Sequence, residues 1–232
     1  MQIFKSDRLF VLTGAGVSAE SGLATFRGEG GLWRNYRPEE VANIAAWRRD
    51  PKLVWEFYSM RRRKALEAKP NAAHFALAGI ERSLGDNFFL CSQNVDSLHE
   101  QAGSERVHHI HGELMKTKCD RCDREPFADE QVYDGVPLPK CECGGTLRVN
   151  VVWFGEMLND VSPVFAALER CTAFVAIGTS GVVEPVASFV RSLRHKRTLY
   201  IGPEKPANAE AFSEFMIGPA TEMVPKLAAS LR

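Results

Sequence analysis

Short apolar runs rich in β-branched or aromatic residues recur along the chain as LFVLTG (9–14), FFLCSQN (88–94), CTAFVAIG (171–178) and TLYIG (198–202). Each ends in glycine or a small polar residue, and helical patterns lie between several of them. The alternation predicts an α/β fold, a mainly parallel sheet with helices on both faces. Ligands of such sheets bind at the carboxyl ends of the strands, so the residues just after each run are the candidates for chemistry. Two stretches break the pattern. Residues 35–70 carry Arg, Trp and Ala at helical spacing, and residues 113–150 hold four cysteines, three prolines and Gly144-Gly145 with little periodicity. Both read as insertions that form a smaller module. The expected division is 1–34, 71–112 and 151–232 for the sheet domain, and 35–70 with 113–150 for a helical and zinc-ribbon module.

Composition changes this picture little. Of 232 residues, 45% are hydrophobic and 25% charged, which suits a globular chain with a real core. Lys plus Arg and Asp plus Glu are 29 each, so no bulk charge points to nucleic acid or a membrane surface. Lys5, Asp7 and Arg8 interrupt the start of the chain, and no long apolar run follows. A signal peptide or membrane span is not expected, and a cytoplasmic location is.

After the first strand comes GAGVSAESGLATFRGEGGLW (14–33). Gly14 and Gly16 permit a tight turn and close approach of backbone N–H groups to a phosphate, with a following helix to add its dipole. The spacing departs from G-x-G-x-x-G, and no acidic residue closes a second strand about 20 residues on, which disfavours a hydride-transfer enzyme. Cys119-x2-Cys122 and Cys141-x-Cys143 supply four thiolates for one tetrahedral zinc. A closed shell of four leaves no position for a reacting water, so the metal is expected to be structural. Cys91 and Cys171 lie within apolar runs and read as buried thiols.

The motifs GAGVSAESG, TFRG (25–28), QNVD (93–96), HIHGEL (109–114), VVWFGE (151–156) and GTS (178–180), in this order, resemble the sirtuin (Sir2-like) family of NAD-dependent protein deacylases. The likeness runs from about Leu9 to IGPA (217–220). It implies a Rossmann-like NAD-binding domain with a zinc-ribbon module, NAD as co-substrate and one structural zinc. It also implies a loop around NAD built from Gly14, Ala15, Gly16, Ala19, Thr25, Phe26, Arg27 and Trp33, with Gly178, Thr179 and Ser180 on the adenosine side and Ala220 as a further cofactor contact. Gln93 would meet the ribose, and Asn94 and Asp96 would hold nicotinamide and a water. Without the family match, Phe26 would read as core and the N-x-D stretch as a loop cap. His111 falls on the family's catalytic histidine, and imidazole suits a base that takes a sugar hydroxyl proton.

The implied reaction joins the acyl-lysine oxygen to the anomeric carbon as nicotinamide leaves, and ends in free lysine and O-acyl-ADP-ribose. Val152, Trp153, Phe154 and Gly155 would offer an extended edge to an acylated-lysine protein or peptide, recognised through backbone pairing. In WEFYSMRRRK (55–64), Tyr58 and Arg61 stand three apart on one helix face. They match the Tyr-x-x-Arg signature of the class that removes succinyl and malonyl groups, where phenol and guanidinium meet a carboxylate. The plainer alternative is a solvated basic face at 61–64. Mono-ADP-ribosyl transfer, a general deacetylase and a non-catalytic zinc ribbon also remain open at this point.

Overall fold

The computed structural model describes residues 1–26, 31–32, 35–133, 137–193 and 195–232. In chain order the first half holds β1 (Leu9–Thr13), α1 (Pro38–Val41), α2 (Ile44–Arg49), α3 (Pro51–Glu67), α4 (Ala72–Leu84), β2 (Phe88–Ser92), α5 (Leu98–Gln101) and β3 (Val107–His109). The second holds β4 (Gly112–Cys119), β5 (Phe127–Ala128), β6 (Leu147–Val151), α6 (Ser162–Arg170), β7 (Ala173–Ile177), β8 (Arg197–Gly202), β9 (Glu214–Ile217) and α7 (Ala220–Ala229). No helix among the described residues is long and apolar enough to cross a membrane.

The four apolar runs become β1, β2, β7 and β8 of a six-stranded sheet ordered β3-β2-β1-β7-β8-β9, parallel throughout. β1 and β7 are buried at every position, as strands covered on both faces must be. Leu9, Val11, Val175 and Ile177 face α4 and α7, whereas Phe10, Leu12, Phe174 and Ala176 face α6 and the 3-10 segment Val186–Leu193. The chain leaves β1 toward β2 on one side, and β7 joins on the other. That reversal opens a crevice beyond the carboxyl ends of β1, β2 and β7.

One expectation fails here. Among the described residues no α-helix follows the glycine loop; two 3-10 turns, Ala15–Val17 and Ala19–Ser21, take its place and end at Gly22, whose φ of +86° suits glycine. A helix dipole is therefore not the source of anion affinity at this loop.

The smaller sheet is antiparallel, ordered β5-β4-β6, with a register shift between Glu113 and Thr117. α3 starts on a strong signal: Pro51 occupies the first turn, and the Asp50 carboxylate accepts from Leu53 N at 3.0 Å. Its buried residues Val54, Trp55, Phe57, Tyr58 and Ala65 pack with Leu114, Val149, Val151 and Trp153 into one apolar cluster.

The same face buries Arg62 completely. Its Nε donates to Leu114 O (2.9 Å), Nη1 to Gln131 O (2.6 Å) and Asp129 Oδ2 (3.2 Å), and Nη2 to Lys116 O (3.2 Å) and Thr117 Oγ1 (2.9 Å). A buried cation is tolerated because every direction of the guanidinium fork finds an acceptor. The basic run is thus divided. Arg63 and Lys64 are exposed, Arg62 fastens α3 to the small sheet, and Arg61 turns toward the crevice.

Candidate active site

A cavity of about 540 Å³ occupies the crevice between the sheets. Most of the residues singled out from the sequence line it. Gly14, Ala15, Gly16, Thr25 and Phe26 come from the loop after β1, and Gln93 and Asn94 follow β2. Gly178, Thr179 and Ser180 follow β7. His111 lies between β3 and β4; Tyr58 and Arg61 come from α3, and Val152, Trp153, Phe154 and Gly155 follow β6. Asp96 is buried behind the wall, Ala19 is exposed beside it, and Ala220 sits in the core at the start of α7. Arg27 and Trp33 lie outside the described residues.

The glycines act by close packing. Gly14 N donates to Ile177 O and Gly16 N to Gly178 O, both at 2.9 Å, so these two N–H groups are already engaged within the protein. A Cβ on Gly16 would meet Gly178 Cα at 2.7 Å, and one on Gly178 (φ +61°) would meet Val17 N at 2.5 Å. The loops after β1 and β7 touch only because neither carries a side chain there, which leaves a shallow floor with Ala15 on it. Gly178→Ala should therefore cost about 2 kcal/mol or more in stability and weaken NAD binding. Thermal melting with titration calorimetry checks it, and unchanged values would refute the account.

Gln93 Nε2 donates to Thr179 Oγ1 (3.1 Å), tying the loops after β2 and β7 together. Asn94 Nδ2 donates to Gly14 O and Ser18 Oγ, both at 3.2 Å. Behind them is a buried polar network that sequence reasoning missed. Asn71 N donates to His74 Nδ1 (3.2 Å), so the neutral ring carries its proton on Nε2 and donates to Ser18 Oγ (3.4 Å). Ser18 in turn donates to Asp96 Oδ2 (3.2 Å). Thr13 Oγ1 bonds Ser92 Oγ (3.0 Å) and His99 Nε2 (3.1 Å). Burial lowers the His74 pKa to about 4, drives His99 well below its ordinary value, and raises that of the Asp96 carboxyl. The only available hint was a histidine in the first turn of an apolar helix, and a capping role explains that equally well.

His111 is fixed by its Nδ1 against Gln93 O at 3.1 Å. A carbonyl only accepts, so Nδ1 holds the proton and Nε2 keeps its lone pair. Burial lowers the His111 pKa, opposed by the Gln93 carbonyl, so the ring is neutral at neutral pH and fit to take a proton. His109 is instead held between Asn94 O (3.0 Å) and Glu100 Oε1 (2.6 Å), outside the cavity lining.

Tyr58 is buried, and its hydroxyl accepts from Trp153 Nε1 at 2.9 Å. Burial raises the phenol pKa, so it stays neutral. Arg61 is half-buried, with its guanidinium 4.9 Å from the Phe26 ring centre and 5.4 Å from that of Tyr58. Burial lowers its pKa, opposed by the attraction of Tyr58 and Asp96. Among the described residues, no carboxylate forms an ion pair with it.

Away from the cavity, the sulfurs of Cys119, Cys122, Cys141 and Cys143 all lie within 4.8 Å of one another. Cys119–Cys143 is 3.5 Å and Cys122–Cys141 3.8 Å. Tetrahedral zinc with 2.3 Å bonds needs sulfurs about 3.8 Å apart, so the cluster fits one zinc. The tight second pair is accommodated by a turn in which Gly144 N donates to Cys141 O and Cys141 N to Gly145 O.

The Sir2 family profile matches residues 14–185. A Caulobacter vibrioides NAD-dependent protein deacylase is 47% identical over 223 residues, 94% of each chain. The Escherichia coli K12 protein of the same name is 43% identical over 239 aligned residues, 99% of this chain and 84% of that one. A Sir2 homologue solved as its NAD complex superposes with a TM-score of 0.89 at 42% identity, covering 97% of this chain and 90% of the other. The glycine floor at the strand ends, the zinc-compatible cysteines and these likenesses agree: the chain belongs to the Sir2 family.

Proposed function

We propose that this NAD-dependent protein deacylase prefers acyl-lysines that end in a carboxylate, succinyl and malonyl above acetyl. One observation carries the reading. Arg61 is a half-buried cation in the same cavity as His111; buried Asp96 attracts it, but no carboxylate among the described residues forms an ion pair with it. Removing a guanidinium from water without an anion is costly, and an acidic acyl group would supply that anion with bidentate geometry. Tyr58 completes the clamp. Its oxygen already accepts from Trp153 Nε1, so its own O–H is left to donate to the ligand.

Within this reading His111 is the base, with its free Nε2 taking a ribose hydroxyl proton while Gln93 O holds the ring. Asn94 and Asp96 bind on the nicotinamide side, where the Ser18–His74 relay fixes their orientation. NAD supplies the electrophilic sugar carbon; the protein contributes orientation, a proton acceptor and exclusion of water. Val152–Gly155 takes the peptide, and Phe154, paired by a bridge to Asn43 and half exposed, stands at the mouth of the cavity. The chain then divides into an NAD-binding unit (1–34, 71–112, 151–232) and a small unit (35–70, 113–150). The apolar cluster joining α1–α3 to β4 and β6 supports the small unit, and Val95 and Trp153 of the NAD-binding unit pack into it.

The test compares kcat/KM for succinyl-, malonyl- and acetyl-lysine forms of one peptide on wild type and Arg61→Met. Arg61→Met should lose roughly 30-fold or more on the acidic substrates and far less on acetyl-lysine. Acetyl-lysine as best substrate, with Arg61→Met affecting all three alike, would make the protein a general deacetylase.

A further inference from the structure

The indole that bonds Tyr58 is itself held by Glu156, which lines the cavity, and by Arg148, which does not. Arg148, on β6, is 3% exposed, and its guanidinium carbon lies 3.3 Å from the centre of the Trp153 ring. Arg148 Nη1 and Nη2 donate to the two Glu156 carboxylate oxygens at 2.6 and 2.9 Å, and Nη2 also reaches Val151 O at 2.7 Å. Glu156 Oε2 accepts from Trp153 N at 2.9 Å as well, closing a ring of contacts around the turn at Gly155. Trp153 also meets the Trp47 ring at 5.6 Å. A planar, bidentate pair stacked on an aromatic face fixes a plane, which a lysine ammonium cannot do.

We propose that Arg148, braced by Glu156, is a positioning residue for acyl selectivity: it fixes the Trp153 indole so that Nε1–H occupies a lone pair of the Tyr58 hydroxyl. With that lone pair taken, the phenol proton has one productive use, donation to the acyl carboxylate. If the indole tilts, Tyr58 can turn its proton elsewhere, and the carboxylate loses a donor while a neutral acetyl group loses nothing. Selectivity is thereby set from the small sheet, through a residue that contacts neither substrate nor NAD. The inference rests on the acidic-acyl reading above and deepens it.

The experiment measures KM and kcat on succinyl- and acetyl-lysine peptides for wild type, Arg148→Lys, Trp153→Phe and the double variant. Arg148→Lys keeps a charge opposite Glu156 and loses the planar stack; Trp153→Phe keeps a ring and loses the N–H. Each should lower the succinyl-to-acetyl ratio of kcat/KM by roughly tenfold, the worth of one orienting hydrogen bond, mainly through KM. The double variant should fall no further than either single one, because both break the same link. Equal losses on the two substrates, or additive losses in the ratio, would overturn the proposal and leave Arg148 with a fold-supporting role. If Arg148→Lys fails to fold, an unchanged ratio in Trp153→Phe overturns it. A wild type with no acidic preference sinks the underlying reading too. A wild-type preference that Arg61→Met abolishes and Arg148→Lys leaves intact sinks this inference alone.

Discussion

His111→Asn should lower kcat by roughly 10²- to 10⁴-fold, the usual worth of a positioned base, while NAD still binds and the melting temperature barely moves. Asparagine can keep a donor toward Gln93 O, so the loop after β2 stays tied, but an amide has no lone pair of comparable basicity. The pH dependence gives a second, independent reading. Burial holds the His111 pKa below its ordinary 6.5. The base is unprotonated above that depressed pKa and lost as pH falls through it. Wild-type kcat/KM should therefore fall on an acid limb whose midpoint lies below the ordinary 6.5. The residual rate of the variant should lack that decline. A variant with wild-type turnover, or one that keeps the same acid limb, would remove His111 from the role of base.

Stripping the metal, or replacing Cys119 with serine, should have the other large effect, on folding rather than on chemistry. Structural zinc in finger-sized peptides is worth about 10–16 kcal/mol, comparable to the whole stability of an ordinary domain at about 5–15 kcal/mol. Here Cys119 ends β4, and the second pair of cysteines precedes β6 by a few residues. Loss of the metal frees both strands from one end. The β4–β6 ladder also carries Arg148 and, through Leu114 and Thr117, the acceptors for Arg62. Its loosening should reach α3, and with it Tyr58 and Arg61. A chelated sample should melt well below the untreated protein and lose deacylase activity along with the small sheet's circular-dichroism signal. An unchanged melting temperature would show that the cysteines do not hold a structural metal.

The parallel sheet was legible in the chain's pattern, because β1, β2, β7 and β8 are short apolar runs ended by small residues, and that signal is local. It also marked the four cysteines and the three-residue spacing of Tyr58 and Arg61, since metal ligation and helical periodicity both write themselves into spacing. The small sheet was not legible. β4 breaks its own alternation at the shift between Glu113 and Thr117, and β6 pairs with it only after the intervening cysteine loop. The predicted helix after the glycine loop failed because Gly22 stops the 3-10 turns after two.

The fate of the basic run at 61–64 was settled by packing in three dimensions. Four adjacent cations look alike in sequence, yet α3 sends Arg62 into a ring of five acceptors, Arg61 into the cavity, and Arg63 and Lys64 to the surface. The Ser18–His74–Asp96 relay and the Trp153–Tyr58 bond join residues 56, 78 and 95 positions apart. Periodicity reports which face of an element is apolar. It carries no information about which distant polar group completes a hydrogen bond, and in this protein those distant partners orient the residues that define the site.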